Sequence, residues 1–150
     1  MDDLFFDPEQ SLGFMTITAN RLLCASLRRK MVQAGIDLTA EQWGVLLQLW
    51  NRDGRSQDEL AQVACVDKSS MSRVLAGMER KGLIRRRPDP ENARRKIVSA
   101  TDKAMGIREG SRAVTREVLD AALAAVPPQD RDVCLRVLAT VKETLLGIDK

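Results

Sequence analysis

The sequence predicts a mainly α-helical chain with one small β-ribbon, and three observations carry that prediction. Apolar residues recur at i, i+3, i+4 and i+7 through most of the 150 residues, the spacing that lines one helix face. The period changes once, after Gly82, where residues 83–87 and 96–99 read as two strands joined by a charged loop from Pro88 to Arg95. Aromatic residues are 3% of the chain and Tyr is absent, so the 44% of apolar residues must build an aliphatic core, which suits packed helices.

Residues 1–10 read as a short arm. Its Leu4, Phe5 and Phe6 need a surface to cover them, on their own domain or on a second subunit. Residues 11–34 form a long helix. Leu12, Met15, Ala19 and Leu22 track one stripe with Leu23, Leu27 and Met31 beside it, an apolar sector wider than one neighbour needs. In residues 39–51, Thr39 and Gln42 make a capping box, and Trp43, Leu46, Leu47 and Trp50 fall at i, i+3, i+4 and i+7.

The stretch 54–101 organises the rest. Ser56 and Glu59 form a second capping box, opening a short helix with Leu60, Ala61 and Ala64 on one face. The chain turns through Cys65 and Val66, and Asp67 caps the next helix, its charge suiting the positive helix end. Met71, Val74, Leu75 and Met78 are the buried stripe. The opposite face carries Ser69, Arg73, Ala76 and Arg80, flanked by Ser70 and Ser72. Gly82 closes the helix at the C′ position. Two helices at a short turn, followed by a charged ribbon, make a winged helix-turn-helix. The second helix of such a unit fits the DNA major groove, and the ribbon tip reaches the backbone or minor groove.

After the ribbon, Thr101 and Asp102 start a helix reaching to about Ala125, with Ile107, Ser111, Val114, Val118 and Ala122 at helical spacing. Pro127-Pro128 ends it, and Pro128 suits the first position of a final helix over 128–147. There Cys134, Leu138, Val141 and Leu145 form a seam. The terminal helices have more apolar face than the central motif covers, so both chain ends are expected to pair with those of a second copy. The domain division is therefore 36–101 for the winged helix and 1–35 with 102–150 for dimerisation. A two-fold homodimer presents two recognition helices to half-sites ~34–36 Å apart.

Charge and composition narrow the function classes. Residues 66–103 hold 11 Lys and Arg against five Asp and Glu, while the remainder holds 13 against 16. The positive charge sits on the motif, as a polyanion partner requires; a merely solvated basic face is the other reading. No run of ~18 uncharged apolar residues exists, so no membrane span is expected. The acidic opening MDDLFFDPEQ lacks the basic-then-apolar order of a signal peptide, so the cytoplasm is the expected location. The chain contains no His, which removes the commonest general base and any His-containing triad; no enzyme activity, metal site or cofactor is expected. Cys24, Cys65 and Cys134 stand singly. Cys24 and Cys134 read as small buried hydrophobes, or one of them as a peroxide sensor.

The phrases LTAEQWGVLLQLW, SQDELAQVACVDKSSMSRVLAGMERKGLIRRRPDPENARR and IVSATDKA resemble, in order and spacing, the MarR family of bacterial transcription regulators. The resemblance covers essentially the whole chain. It implies a homodimer with interlocked terminal helices that binds near-palindromic double-stranded DNA, usually as a repressor, and is released by a small ligand or oxidant. By position, the recognition-helix contacts would be Lys68, Ser69, Ser70, Ser72 and Arg73; Ser56 and Gln57 would touch phosphate; Arg94 would be the wing arginine. Phosphate contacts would come from Arg85, Arg86 or Arg87, with alternation setting Arg86 opposite the other two. The wing departs from the family's Asp-x-Arg by reading Asn92-Ala93-Arg94, and Arg95 adds a charge where a small residue is usual. Peroxide-sensing relatives place Tyr hydroxyls beside their reactive Cys, and this chain has none. A pocket for a small aromatic or acidic effector would lie between the first helix, the second helix and the start of the fifth. Its candidates are Met15, Arg21, Trp43 and Leu47, with Arg21 able to hold a carboxylate; each is equally readable as core or surface. The alternative function is a winged-helix module for protein or RNA contacts without operator specificity.

Overall fold

The computed structural model describes residues 7–148, and Leu4, Phe5 and Phe6 lie outside the described residues. The elements run α1 (Leu12–Gln33), α2 (Ala40–Asn51), β1 (Arg55–Ser56), α3 (Gln57–Ala64), α4 (Lys68–Arg80), β2 (Ile84–Pro88), β3 (Lys96–Ala100), α5 (Asp102–Gly106), α6 (Arg108–Ala122) and α7 (Pro128–Ile148). Residues up to Val118 and from Leu119 onward form two compact units, divided inside α6.

In the first unit the core gathers Met31 from α1, Leu46 and Leu49 from α2, Leu60 from α3, Met71, Leu75 and Met78 from α4, and Ile84 and Val98 from the ribbon. Leu75 and Met78 are completely buried; removing a side chain of this size from water is worth roughly 1.5–3 kcal/mol. Both expected capping boxes form: Gln42 N–H donates to Thr39 Oγ1 at 3.2 Å, and Glu59 N–H donates to Ser56 Oγ at 3.1 Å. Gly82 sits just beyond α4 with φ +70°, a left-handed conformation open to a residue without Cβ.

Four expectations change. The ribbon has a third strand: β1 pairs with β3, placing Arg55 opposite Val98 and Ser56 opposite Ile97, so the sheet order is β1-β3-β2. The helix expected over 102–125 is two, with Gly106 at the break, the weakest helix former after Pro. The buried stripe of α2 is Gln42, Val45, Leu46 and Leu49; Trp43 and Trp50 are only partly buried against the core, and Leu47 is exposed. On α1 the Leu12, Met15 and Leu22 stripe faces outward, and the inner edge is Leu23 and Leu27 leading to Met31.

The second unit holds the last turn of α6, residues 123–127 and α7. Arg131 closes the turn, donating from Nη2 to Leu123 O at 2.8 Å and from Nε to Val126 O at 3.1 Å. No residue of α7 is buried. Leu138 and Leu145 of the expected seam are exposed, as are Leu135 and Leu146 beside them. Cys134, expected to be buried, is exposed, and Val141 is partly covered.

Candidate nucleic-acid interface

The outward face of α4 is prepared by its cap. Asp67 accepts the Ser70 backbone N–H at 2.8 Å and the Ser70 hydroxyl at 2.6 Å. These bonds, the hydroxyl's foremost, hold the Asp67 carboxyl below its ordinary pKa. Arg73 Nη2 in turn donates to Ser70 Oγ at 3.3 Å. Ser70 is thus occupied inside a short chain of bonds, while Ser69, Arg73 and Arg80 stay exposed. Lys68 is tied to Asp58 of α3 at 3.2 Å, a surface pair of the kind worth ~0–1 kcal/mol.

Beside this face lies a polar cleft of about 180 Å³ lined by Ser56, Gln57, Asp58, Ser72, Arg86, Arg94, Arg95 and Lys96. It brings together six residues expected at the interface: Ser56, Gln57, Ser72, Arg86, Arg94 and Arg95. Three separate elements build it. The α3 N-terminus supplies residues 56–58, one flank of α4 supplies Ser72, and the ribbon supplies the cations. Helix N-termini carry partial positive charge, so two features of the cleft favour an anion and Asp58 opposes it. Ser56 forms the floor; it is buried, and its hydroxyl is taken up as the α3 cap.

The wing loop is held by its own short side chains. Asp89 Oδ1 accepts the Glu91 N–H at 2.9 Å, and Asn92 Oδ1 accepts the Arg94 N–H at 3.1 Å. Asn92 therefore shapes the backbone under Arg94 and leaves the guanidinium exposed. Arg95 Nε stands 3.9 Å from Asp89 Oδ2, a loose pair. Arg86 differs: its Nε and Nη2 donate to Glu79 Oε2 at 3.1 and 2.7 Å. The alternation that separates it from exposed Arg85 and Arg87 holds. Reading the sequence missed Asp58 and Glu79; each looks there like one more surface charge, and only the fold brings it to the cleft or its edge.

Among the described residues, Leu47 and Trp43 line separate cavities. Leu47 lines a mostly apolar groove of about 700 Å³ together with Asn20 and Cys24 of α1, Val63 of α3 and Arg73 and Val74 of α4. That groove lies among α1, α2, α3 and α4 rather than at the start of the fifth helix. Trp43 lines a separate small pocket with Leu27, Arg28 and Met31. Met15 and Arg21 are exposed on α1 and line neither. Cys24 was not foreseen as a groove residue, since nothing in its helical spacing distinguishes it from core. Among the described residues no cluster of three His, Cys, Asp or Glu is placed to hold a metal ion, and no helix is long and apolar enough to cross a membrane.

The MarR family model matches residues 38–96, which span α2, α3, α4 and β2 and reach the first residue of β3. A Bacillus subtilis (strain 168) protein described as an uncharacterized HTH-type transcriptional regulator, YdgJ, is 29% identical over 105 residues, covering 70% of this chain and 64% of its own length. The structure of a probable transcriptional regulator from Pseudomonas aeruginosa has a TM-score of 0.77 at 27% identity, covering 89% of this chain and 98% of that one. The repressor CouR, solved on a 23-mer DNA duplex, has a TM-score of 0.80 at 24% identity over 91% of this chain and 96% of its own. CouR from Rhodococcus jostii RHA1, bound to p-coumaroyl-CoA, has a TM-score of 0.71 at 20% identity, over 95% and 94%. Both CouR likenesses are of fold.

Proposed function

We propose that the chain is a MarR-family regulator, a reading that the family model over residues 38–96 supports, and that it represses transcription by binding a near-palindromic operator in double-stranded DNA as a homodimer. Members of this family are transcriptional regulators, not enzymes. The observation that carries the reading is the cleft, in which an α3 N-terminus, Ser72 of α4 and the wing cations Arg94, Arg95 and Lys96 meet beside exposed Ser69 and Arg73. In a duplex complex Ser69, Ser72 and Arg73, with Lys68 at the helix start, read base edges. Gln57, Arg94 and Arg95 meet phosphate. Ser56 sets the floor and Ser70 steadies Arg73.

The domain division at 36–101, with the terminal helices as the dimerisation part, follows from the same reading. Leu12 on α1 and Leu138 and Leu145 on α7 are large apolar residues left in water, and a second copy would cover them, together with Cys134, Val141 and the Leu4–Phe6 arm. The effector is a small aromatic or acidic molecule. Its groove is the one lined by Leu47, and CouR, which binds p-coumaroyl-CoA, supports the assignment by likeness of fold. Such a regulator works in the cytoplasm.

The test is selection from random duplexes by the purified chain, with its mass measured by sedimentation equilibrium. The expected result is a dimer and an enriched pair of inverted half-sites one helical turn apart, ~34–36 Å. Retention of all duplexes alike would overturn the operator, and a monomer at all concentrations would overturn the dimer.

A further inference from the structure

One cation of the cleft is not available in the way the others are. Arg86 sits in the middle of β2, opposite Val98 of β3, and Glu79 stands in the last turn of α4. Three donors of Arg86 converge on the Glu79 carboxylate: the backbone N–H reaches Oε1 at 3.3 Å, and Nε and Nη2 reach Oε2 at 3.1 and 2.7 Å. The Arg86 side chain is only 17% exposed although it lines the cleft, and Glu79 is 41% exposed. Arg94 makes no side-chain hydrogen bond or ion pair among the described residues, and neither do Arg85 and Arg87.

We propose that Glu79 withholds Arg86 from phosphate, so that Arg86 is a positioning residue tying the wing to the recognition helix rather than a contact with the DNA backbone. This rests on the duplex-binding reading above. The argument is one of charge and geometry. A guanidinium already paired with a carboxylate adds almost nothing to the net charge that a phosphate meets, so it displaces no counterion when DNA arrives. Leaving Glu79 to reach phosphate would strand an acid facing the same strand. The bond also spans the turn from α4 to β2, fixing the base of the wing, and with it Arg94, relative to Arg73. A withheld cation lowers attraction to any duplex without weakening base reading, which raises the ratio of operator to non-specific binding.

The experiment compares the parent chain with Arg86→Gln, Glu79→Ala and the double variant on a labelled mixed-sequence duplex. Affinity is read by fluorescence anisotropy between about 50 and 200 mM salt, where each phosphate neutralised contributes about −0.9 to the slope of log affinity against log salt. Arg86→Gln alone leaves the Glu79 carboxylate unpaired beside the duplex and is expected to weaken binding, so the double variant, which removes both charges of the pair, carries the test. Glu79→Ala frees Arg86 and steepens the slope by about 0.9, and adding Arg86→Gln to it restores the parent slope. A slope shallower than the parent's by about 0.9 in the double variant overturns the proposal, because Arg86 then already touches phosphate. Glu79→Gln, which keeps an acceptor for Arg86, is expected to steepen the slope less than Glu79→Ala and serves if the latter does not fold. Should the parent chain bind no duplex, the functional reading fails on its own, and elution of the same proteins from heparin decides the proposal. The double variant should then elute with the parent and Glu79→Ala later, and a double variant that elutes earlier than the parent overturns it.

Discussion

Glu59 offers a quantitative check on how the cleft is built. Its carboxylate accepts the Ser56 N–H at 2.7 Å and an Arg52 Nη2 hydrogen at 3.0 Å. The bond from the Ser56 backbone, foremost among the causes, holds its pKa at about 2 instead of 4.5. That difference corresponds to about 3 kcal/mol between the ionised and protonated forms. The side chain is 39% exposed, so solvent screening reduces the stabilisation to about 1–1.5 kcal/mol. Because the folded-state pKa is depressed, the contribution is fully present above pH 4.5 and is lost as pH falls from there toward 2, roughly half of it by pH 3. Glu59→Gln keeps the neutral cap and removes the charge. It should cost about 1–1.5 kcal/mol at pH 7 and progressively less below pH 4.5. Urea unfolding of both proteins at a series of pH values measures the gap. A gap that stays constant down to pH 3 would refute the charge-assisted cap, as would no gap at pH 7.

Three further outcomes are expected. Arg73→Ala should weaken operator binding by ~1–3 kcal/mol and relax base preference at one position if Arg73 reads guanine; competition between matched and mismatched duplexes decides it. Arg94→Ala should weaken binding to all sequences and make the salt slope shallower by about 0.9, measured by anisotropy across salt. Cys65 takes φ +53° at the end of α3, a conformation costing a residue with Cβ ~1–2 kcal/mol. Allowing for the entropy of an added glycine, Cys65→Gly should raise stability by about 0.5–1 kcal/mol, seen as a higher thermal midpoint under reducing conditions.

Much of the fold was legible because its signals are local. A cap acts over three residues and a C′ glycine over one turn, so Ser56, Asp67 and Gly82 mark the ends of α3 and α4 without reference to the rest of the chain. The Met71, Leu75 and Met78 stripe was legible because the residues opposite it are polar. On α2 large apolar residues occupy more than half the circumference, and periodicity could not choose between the Trp43–Trp50 stripe and the Val45–Leu49 one. β1 has only two residues, too few to alternate, and exists because β3 offers it an edge.

Sequence by itself determined the order of the elements apart from β1 and the break between α5 and α6, the limits of the two reading helices and the concentration of cations after Val66, since each depends on residues within a turn or two of one another. Only the tertiary structure decided which cations face one cleft, that Glu79 holds Arg86 across the α4–β2 turn, and that Leu47 and Trp43 line separate cavities. Those outcomes depend on how elements lie against each other in space, and side-chain reach of a few ångströms is set by that placement rather than by separation along the chain.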